Sequence, residues 1–278
     1  MPGRLLVCAT PIGNIADVTS RVLDALREAD VVLAEDTRVA RKLLSRYAIE
    51  ATLERYDENT AERRTPEIVS RIGEGQTFAL VSDAGTPGLS DPGTRLVDAA
   101  LSAGVAVDVL PGPSAVIGAL VASGLPTHAF YFGGFLPRKA GERSKTLRRL
   151  TELDASLVFF ESPKRTAATL AAIADQMPGR EAAVVRELTK LHEEVARGAT
   201  GDLAAQFAQR PDLKGEVVLV VGPPASGAEA PPIDKRAVRE RVGELRARGL
   251  SAKDAIRTVC EETGLPRNAV YAIAHSSD

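Results

Sequence analysis

Residues 82–93, with the sequence SDAGTPGLSDPG, place three glycines and two prolines directly after the apolar run Phe78-Ala79-Leu80-Val81. The run predicts a buried strand, and residues 94–103, closed by Gly104, predict a helix after the segment. In a parallel α/β sheet, ligands bind beyond the carboxyl ends of strands, where glycine lets the backbone approach a ligand and proline restricts the loop. The segment is therefore a candidate ligand-binding loop, although a plain strand–helix turn, which also needs glycine and proline, stays equally open.

A second segment of this kind is Pro111-Gly112-Pro113-Ser114-Ala115, which follows the strand-like run 105–110 and precedes a helix of small residues. Loops from two neighbouring strand ends can enclose one small molecule between them. The repetition favours the ligand-binding interpretation over that of two unrelated turns.

The rest of the first 222 residues predicts two α/β lobes. Apolar runs at 5–9, 31–34, 78–81 and 105–110 alternate with helical stretches and predict a parallel sheet covered on both faces. In the second half, the strand-like runs are closer together and predict a mixed sheet; they are 157–160, 182–185, 193–197 and 216–221. We place the N-terminal lobe at 1–112 and the C-terminal lobe at 113–222.

The C-terminal part of the chain has a different character. Residues 223–232, PPASGAEAPP, cannot fill a core and predict a linker. Residues 233–278 predict a small helical appendage whose last two helices have the spacing of a helix-turn-helix. A plain three-helix appendage is an equally good interpretation.

Composition and motifs exclude several classes of protein. The 278 residues carry a net charge of −2, which gives no general affinity for nucleic acid. Dinucleotide, Walker A, HExxH, CxxC and GxSxG patterns are absent, and the three histidines are scattered, so the sequence supports no metal site. The sequence favours a cytoplasmic protein, because its two cysteines are far apart and it shows neither a signal-peptide pattern nor an apolar run long enough to span a membrane.

One segment is strongly basic despite the overall charge. Residues 138–149 carry an excess of five positive charges, with Glu142 as the single acid. The basic residues are Arg138, Lys139, Arg143, Lys145, Arg148 and Arg149. Such a basic segment suits phosphate contacts that weaken with salt, although a solvated helix face is the alternative. Residues 233–257 carry a further excess of four. An anionic macromolecule is therefore a plausible partner, and nothing here distinguishes RNA from DNA.

Charged side chains also follow three strand-like runs, at residues 35–38, 161–165 and 186–190. They would converge on one rim if the strands are parallel there. They could line an acceptor cleft or form loop ion pairs.

Taken in order, these motifs resemble the 16S rRNA (cytidine 2′-O)-methyltransferase family of the tetrapyrrole-methylase superfamily. The resemblance covers about the first 220 residues, and the helical tail is also typical of the family. Its motifs are Ala9-Thr10-Pro11-Ile12-Gly13-Asn14, Ala34-Glu35-Asp36-Thr37-Arg38, residues 82–93, residues 110–115, Ser123-Gly124-Leu125-Pro126-Thr127, residues 134–139, Glu161-Ser162-Pro163 and Arg186-Glu187-Leu188-Thr189-Lys190. True tetrapyrrole methylases instead open with a GAGPGDP-like loop.

The resemblance implies a two-lobed tetrapyrrole-methylase-like fold that binds S-adenosyl-L-methionine (SAM) between its lobes, usually as a homodimer and without a metal. The implied donor-binding residues are Pro11, Asp83, Ala84, Gly85, Thr86, Pro87, Gly88, Ser114, Ala115, Phe135, Pro163 and Arg186. The implied acceptor is a cytidine ribose in the decoding region of 16S rRNA, within free RNA or the small subunit. We expect Arg38 and the basic segment to contact that RNA.

The proton acceptor is left open by the sequence. Many members of the family have a His-rich stretch where this chain has Tyr56-Asp57-Glu58-Asn59-Thr60, so a histidine base is not available there. The ribose hydroxyl needs a group that withdraws its proton as it attacks the methyl group. The candidates are Asp36, Glu58, Glu161 and Lys164.

Two rival functions stay open at this stage. The same fold could methylate a tetrapyrrole or a protein side chain, although the missing GAGPGDP-like loop and the basic segment count against it. Alternatively, the helical tail could bind nucleic acid while the α/β body senses a ligand.

Overall fold

A computed structural model describes residues 3–91, 93–224, 235–263 and 267–275 of the chain. It forms two compact units, residues 1–225 and 226–278. The predicted linker therefore lies outside the described residues from position 225 onward, and the boundary between lobes at 112 and 113 stays a prediction.

The N-terminal sheet is entirely parallel, with the strand order β3-β2-β4-β1-β5. Its strands are β1 (Arg4–Cys8), β2 (Val31–Ala34), β3 (Leu53–Arg55), β4 (Phe78–Val81) and β5 (Ala106–Leu110). The helices that connect them are α1 (Ser20–Glu28), α2 (Thr37–Arg46), α3 (Glu58–Gly73) and α4 (Gly93–Ser102).

Alternate residues of the central strands pack on opposite faces of this sheet. Leu6, Val32 and Ala79 belong to one core cluster with side chains of α1 and α2. Leu5, Leu33 and Leu80 belong to another cluster with side chains of α3 and α4. Burial on both faces explains why these strands are continuous apolar runs in the sequence.

The C-terminal lobe contains a mixed sheet with the order β6-β7-β10-β8-β9, in which β6 is parallel to β7 and the other neighbours are antiparallel. Its strands are β6 (Phe130–Phe135), β7 (Ser156–Glu161), β8 (Glu181–Arg186), β9 (Glu194–Ala199) and β10 (Val217–Val221). Its helices are α5 (Ala115–Ser123), α6 (Ala140–Arg148), α7 (Thr166–Gln176) and α8 (Thr200–Ala208), and a 3-10 turn covers Pro163–Arg165.

The structure confirms the predicted α/β class with one parallel and one mixed sheet. It also contains elements that the sequence patterns did not identify, notably β3, β6 and the helices α2 and α3. β3 has only three residues, two of them charged, and β6 is interrupted by an irregularity between Phe132 and Phe135. Neither strand therefore has the continuous apolar run on which the prediction rested.

The second unit consists of three helices, α9 (Lys235–Ala247), α10 (Ala252–Thr263) and α11 (Arg267–His275). Its core contains Val238, Val242, Ile256, Val259 and Val270. The apolar spacing in the sequence thus identified these helices correctly. In the part of the chain that the structure describes, no helix is long and apolar enough to cross a bilayer.

Candidate active site

The loop after β1 and the loop after β4 are joined by backbone hydrogen bonds. The N–H of Thr10 donates to the carbonyl of Gly85 (2.8 Å), and the N–H of Gly85 donates to the carbonyl of Thr10 (3.1 Å). The Thr10 hydroxyl also donates to the Ser82 carbonyl (3.0 Å), and the Ser82 hydroxyl donates to the Gly85 carbonyl (3.0 Å). Because β1 and β4 are neighbours, their carboxyl ends bring the two loops together.

Two glycines of the 82–93 loop need a left-handed backbone, since φ is +80° at Gly85 and +93° at Gly88. The Asp91 carboxylate then closes the loop by accepting hydrogen bonds from the N–H groups of Gly88 (2.6 Å) and Gly93 (2.8 Å). The loop therefore has a defined shape that these residue types explain.

The second glycine–proline loop lies against the first. A Cβ on Gly112 would come within 2.9 Å of the Ala9 Cβ, so this position requires glycine for close approach to the β1 loop. A Cβ on Gly85 would lie 3.8 Å from the Pro113 carbonyl oxygen. Ser114 then caps α5, accepting a hydrogen bond from the N–H of Ile117 (3.4 Å).

The two loops and the C-terminal lobe line one cavity of about 410 Å³, which we call the interlobe cavity. This volume lies within the range of small-molecule sites. The lining residues are Ile12, Glu35, residues 82–86, residues 89–91, Ser114, Ala115, Val116, Phe135, residues 160–163 and residues 215–218. The two glycine–proline loops identified in the sequence therefore line the same cavity.

Most of the predicted donor-binding residues line this cavity. They are Asp83, Ala84, Gly85, Thr86, Ser114, Ala115, Phe135 and Pro163. Pro87 and Gly88 belong to the same loop without lining the cavity. Pro11 lines an adjoining cavity of about 450 Å³, which shares Ile12, residues 82–84 and Glu216 with the interlobe cavity. Arg186 does not line the interlobe cavity. Its guanidinium instead donates to the Glu194 carboxylate (2.9 Å) and the Lys214 carbonyl (3.2 Å).

Several residues that line the cavity were not among the site residues predicted from the sequence. Residues 215–218 lead into β10, whose apolar run predicted a strand but gave no sign of a site. Glu35 belongs to the charged motif at residues 35–38, and its position directly after the strand β2 is the sequence signal for a site there.

A third cavity of about 620 Å³, here called the acidic cavity, adjoins the interlobe cavity through Glu35 and Asp83, which line both. Its other lining residues are Asp36, Thr37, Arg38, Arg55, Asp57, Glu58 and Asn59. Two of the three expected carboxylate proton acceptors, Asp36 and Glu58, therefore lie here.

Asp36 has a structural role in this cavity. Its carboxylate caps α2 by accepting from the N–H of Arg38 (2.8 Å), and the Arg38 guanidinium binds it through Nε (3.0 Å) and Nη2 (2.6 Å). These hydrogen bonds from Arg38 lower the pKa of Asp36 to about 2. So low a pKa disfavours Asp36 as a proton acceptor, and the same ion pair engages the arginine that we expected to contact RNA.

Glu161 is buried, and its carboxylate is bound by three neighbouring residues. It accepts hydrogen bonds from the N–H of Ser162 (2.7 Å) and the hydroxyl of Thr169 (2.7 Å), and it forms an ion pair with Arg165 (3.2 Å). These contacts fix the end of β7 to the start of α7, so they favour a structural role over proton transfer. Lys164 is exposed and lines neither cavity.

The basic segment begins close to the interlobe cavity. Arg138 is three residues beyond Phe135, so the two Cα atoms are at most about 11 Å apart. Arg138, Lys139, Lys145, Arg148 and Arg149 are exposed, and Lys139 pairs with Glu142 at 3.4 Å. Arg143 is half-buried. The segment thus presents positive charge to solvent without lining either cavity.

Residues 4–204 match the family model of the Tetrapyrrole (Corrin/Porphyrin) Methylases, and residues 235–277 match the model of the RsmI C-terminal HTH domain. The fold is also similar to that of uroporphyrin-III C-methyltransferase from Thermus thermophilus in complex with S-adenosylhomocysteine. That structure has a TM-score of 0.56 and 19% identity, and the alignment covers 79% of this chain and 97% of that one. Fold and interlobe cavity together define a protein of the tetrapyrrole-methylase class.

Two curated relatives narrow this class. Ribosomal RNA small subunit methyltransferase I of Mesorhizobium japonicum is 44% identical over 268 residues, which cover 96% of this chain and 90% of that protein. The protein of the same name from Mycobacterium tuberculosis is 46% identical over 261 residues, covering 92% of this chain and 89% of the relative. The chain belongs to the ribosomal RNA small subunit methyltransferase I family.

The contacts of Glu161 lead to a stability prediction. Thr169→Val removes a hydroxyl donor from a buried carboxylate, so we expect the free energy of unfolding to fall by about 1–3 kcal/mol. Thr200→Val is the matched control, because the equally buried Thr200 hydroxyl has no hydrogen-bond partner among the described residues. The control should be neutral or stabilising. Urea unfolding of both variants measures the difference, and equal losses would contradict the assigned role of Thr169.

Proposed function

We propose that the chain is a SAM-dependent methyltransferase that methylates the 2′-hydroxyl of a cytidine ribose in the decoding region of 16S rRNA. The observation that carries the proposal is the interlobe cavity, formed by two glycine–proline loops in a chain of this family. The curated relatives are named for ribosomal RNA of the small subunit, which supports an rRNA acceptor.

The interlobe cavity suits the methyl donor. Its volume fits a molecule of nucleoside size, and the backbone of residues 83–86 offers N–H and carbonyl groups for hydrogen bonds. Phe135 and Phe160 supply an apolar wall for an adenine ring. A structural neighbour with the same fold was solved with S-adenosylhomocysteine, the product of methyl donation. We propose that residues 83–86, Ser114 and Ala115 bind SAM, while Pro87 and Gly88 shape the loop.

The acceptor should approach with its phosphates on the basic segment. The exposed side chains of Lys145, Arg148 and Arg149 can neutralise phosphates, whereas the carboxylates of the acidic cavity repel them. A ribose hydroxyl is neutral and can enter the acidic cavity beside the donor. This division of charge favours RNA over a tetrapyrrole, which carries several carboxylates of its own.

The chemistry needs little beyond positioning and removal of one proton. The sulfonium of SAM already makes its methyl group electrophilic, so this chain's residues have to align the ribose oxygen with that group. No metal takes part in the proposed reaction. Of the four residues expected from the sequence, Glu58 keeps an exposed carboxylate in the acidic cavity, whereas Asp36, Glu161 and Lys164 are disfavoured by their surroundings.

We also propose a homodimer that works in the cytoplasm, where small subunits of the ribosome are assembled. The strand β5 is an edge of the N-terminal sheet, and Val109 on it is 57% exposed. Val121 on α5 is 67% exposed. Edges with exposed apolar side chains are usually covered, and a second copy of the chain would cover this one.

The direct test is methyl transfer. Undermethylated small ribosomal subunits, free 16S rRNA and a porphyrin precursor should each be incubated with the protein and SAM labelled in the methyl group. We expect label in RNA, and digestion to nucleosides should yield 2′-O-methylcytidine. Label only in the porphyrin precursor or in protein would reject the proposal, and label on a base would reject the 2′-hydroxyl as the target.

The donor site predicts a difference between two glycines with a left-handed backbone. Gly85→Ala should weaken SAM binding about tenfold or more, because a strained residue shifts the loop that lines the cavity. Gly179→Ala is the matched control, since φ is +76° there and the residue lies in the turn before β8, outside the cavity. Both variants should lose about 1–2 kcal/mol of stability. Calorimetric titration with SAM would contradict this site if the two affinities were equal.

The basic segment predicts a change in salt dependence. Replacing Arg148 and Arg149 with alanine should weaken RNA binding, and the slope of log affinity against log salt should fall by about 1.5 because two phosphate contacts are lost. The affinity for SAM should stay unchanged. The double variant Arg21→Ala, Arg63→Ala removes two exposed arginines from the other lobe and is the control. An equal effect of both double variants would mean that the segment acts only through net charge.

A further inference from the structure

Glu35 lies where the interlobe cavity meets the acidic cavity. It directly follows the strand β2, so the end of a buried strand fixes its backbone. Its side chain lines both cavities and is half-buried. A group at this position can reach a molecule held in either cavity.

Most other carboxylates that line these cavities are engaged in the fold. Asp83 accepts from the N–H of Asp36 (3.1 Å), Asp57 caps α3 and pairs with Arg55, and Glu216 pairs with Lys190 (3.2 Å). Asp36, Asp91 and Glu161 are engaged in the contacts given above. Among the described residues, Glu35 and Glu58 alone of this set have neither a hydrogen bond nor an ion pair.

The surroundings of Glu35 favour its binding a proton. Burial raises the pKa of Glu35 above its ordinary value, and the negative charges of Asp83, Asp91, Asp57 and Glu58 raise it further. Arg38 and Arg55 also line the acidic cavity, where they pair with Asp36 and Asp57, and the net shift in the pKa of Glu35 is still upward. A carboxylate with a raised pKa is a better general base near neutral pH than an ordinary glutamate.

We infer that the Glu35 carboxylate is the catalytic proton acceptor for the methylated hydroxyl. The inference rests on the proposed function. As the ribose oxygen forms its bond to the methyl carbon, the bond between that carbon and sulfur breaks and its electron pair stays on sulfur. The hydroxyl proton passes to a carboxylate oxygen of Glu35 and leaves through the acidic cavity to solvent. The products are the methylated ribose, neutral S-adenosylhomocysteine and a proton.

Glu58 is the alternative acceptor, and its placement is less suitable. It lines the acidic cavity only, at the exposed start of α3, whereas Glu35 also lines the cavity proposed for the donor. The proton must leave an oxygen that is bonding to the donor's methyl group, so the acceptor has to lie at the junction of the two molecules.

The test compares Glu35→Gln, Glu35→Asp and the wild-type chain in single-turnover methylation of undermethylated small subunits across a range of pH. The wild-type rate should fall as the pH drops through the raised pKa of Glu35, because the proton then occupies the base. Glu35→Gln should be about 10²–10⁴-fold slower and should lose this pH dependence. Glu35→Asp should keep the pH dependence at a reduced rate, since the carboxylate is retained but withdrawn by one methylene.

Two controls separate this role from others. Glu62→Gln alters an exposed carboxylate on α3 that lines neither cavity, and its rate should match that of the wild type. Titration with S-adenosylhomocysteine should give the same affinity for Glu35→Gln and the wild type. A loss of that affinity would overturn the inference, because Glu35 would then be a donor-binding residue.

The remaining outcomes distinguish the inference from the proposed function. If the wild type methylates the ribose and Glu35→Gln keeps the rate and pH profile, the inference is wrong and the proposed function stands. If Glu58→Gln, and not Glu35→Gln, abolishes the pH dependence, Glu58 is the acceptor. If the wild type transfers no methyl group to a ribose, both are wrong.

Discussion

The site depends on the pair of backbone hydrogen bonds between Thr10 and Gly85. These bonds tie the loop after β1 to the loop after β4 and set where the 82–93 loop can lie. They form because β1 and β4 are adjacent central strands that are buried on both faces of the sheet, so the two strand ends have little freedom. The left-handed φ of Gly85 lets the loop turn toward its partner. The hydrophobic core thereby determines the shape of the interlobe cavity.

The charged rim next to this cavity follows from how the neighbouring helices begin. Asp36 and Asp57 cap α2 and α3, which satisfies N–H groups that have no partner inside a helix. Each is also neutralised by a nearby arginine. Asp36, a candidate proton acceptor in the sequence, therefore stabilises the framework. Among the described residues, Glu35 and Glu58 are the carboxylates of these cavities that have no such partner, and Glu35 alone of the two also lines the interlobe cavity. Most residues of a folded protein satisfy the usual requirements for helix capping and charge pairing, and exceptions are expected at functional positions.

Sequence patterns predicted the parts of the fold and the candidate site that depend on local chemistry. The strand–loop–helix unit around residues 78–102 is an example, because apolar burial, glycine and proline each leave a signature there. The patterns failed at positions whose role depends on contacts with residues that are distant in the sequence. Glu161 lies at the end of a strand, where a catalytic proton acceptor is expected, but only the structure shows that Thr169 and Arg165 bind it. Residues 215–218 carry no motif, and they reach the cavity because β10 lies between β7 and β8.

The opposite charges of the acidic cavity and the basic segment constrain what can bind both. A small anion would be drawn to the basic segment and repelled from the cavity, while a small cation would experience the reverse. A molecule that satisfies both must carry anionic groups at one place and a neutral polar group at another. A polynucleotide has this pattern, since its phosphates are separated from the hydroxyl of each ribose by several bonds. The charge distribution of the protein therefore supports the polynucleotide acceptor that we propose.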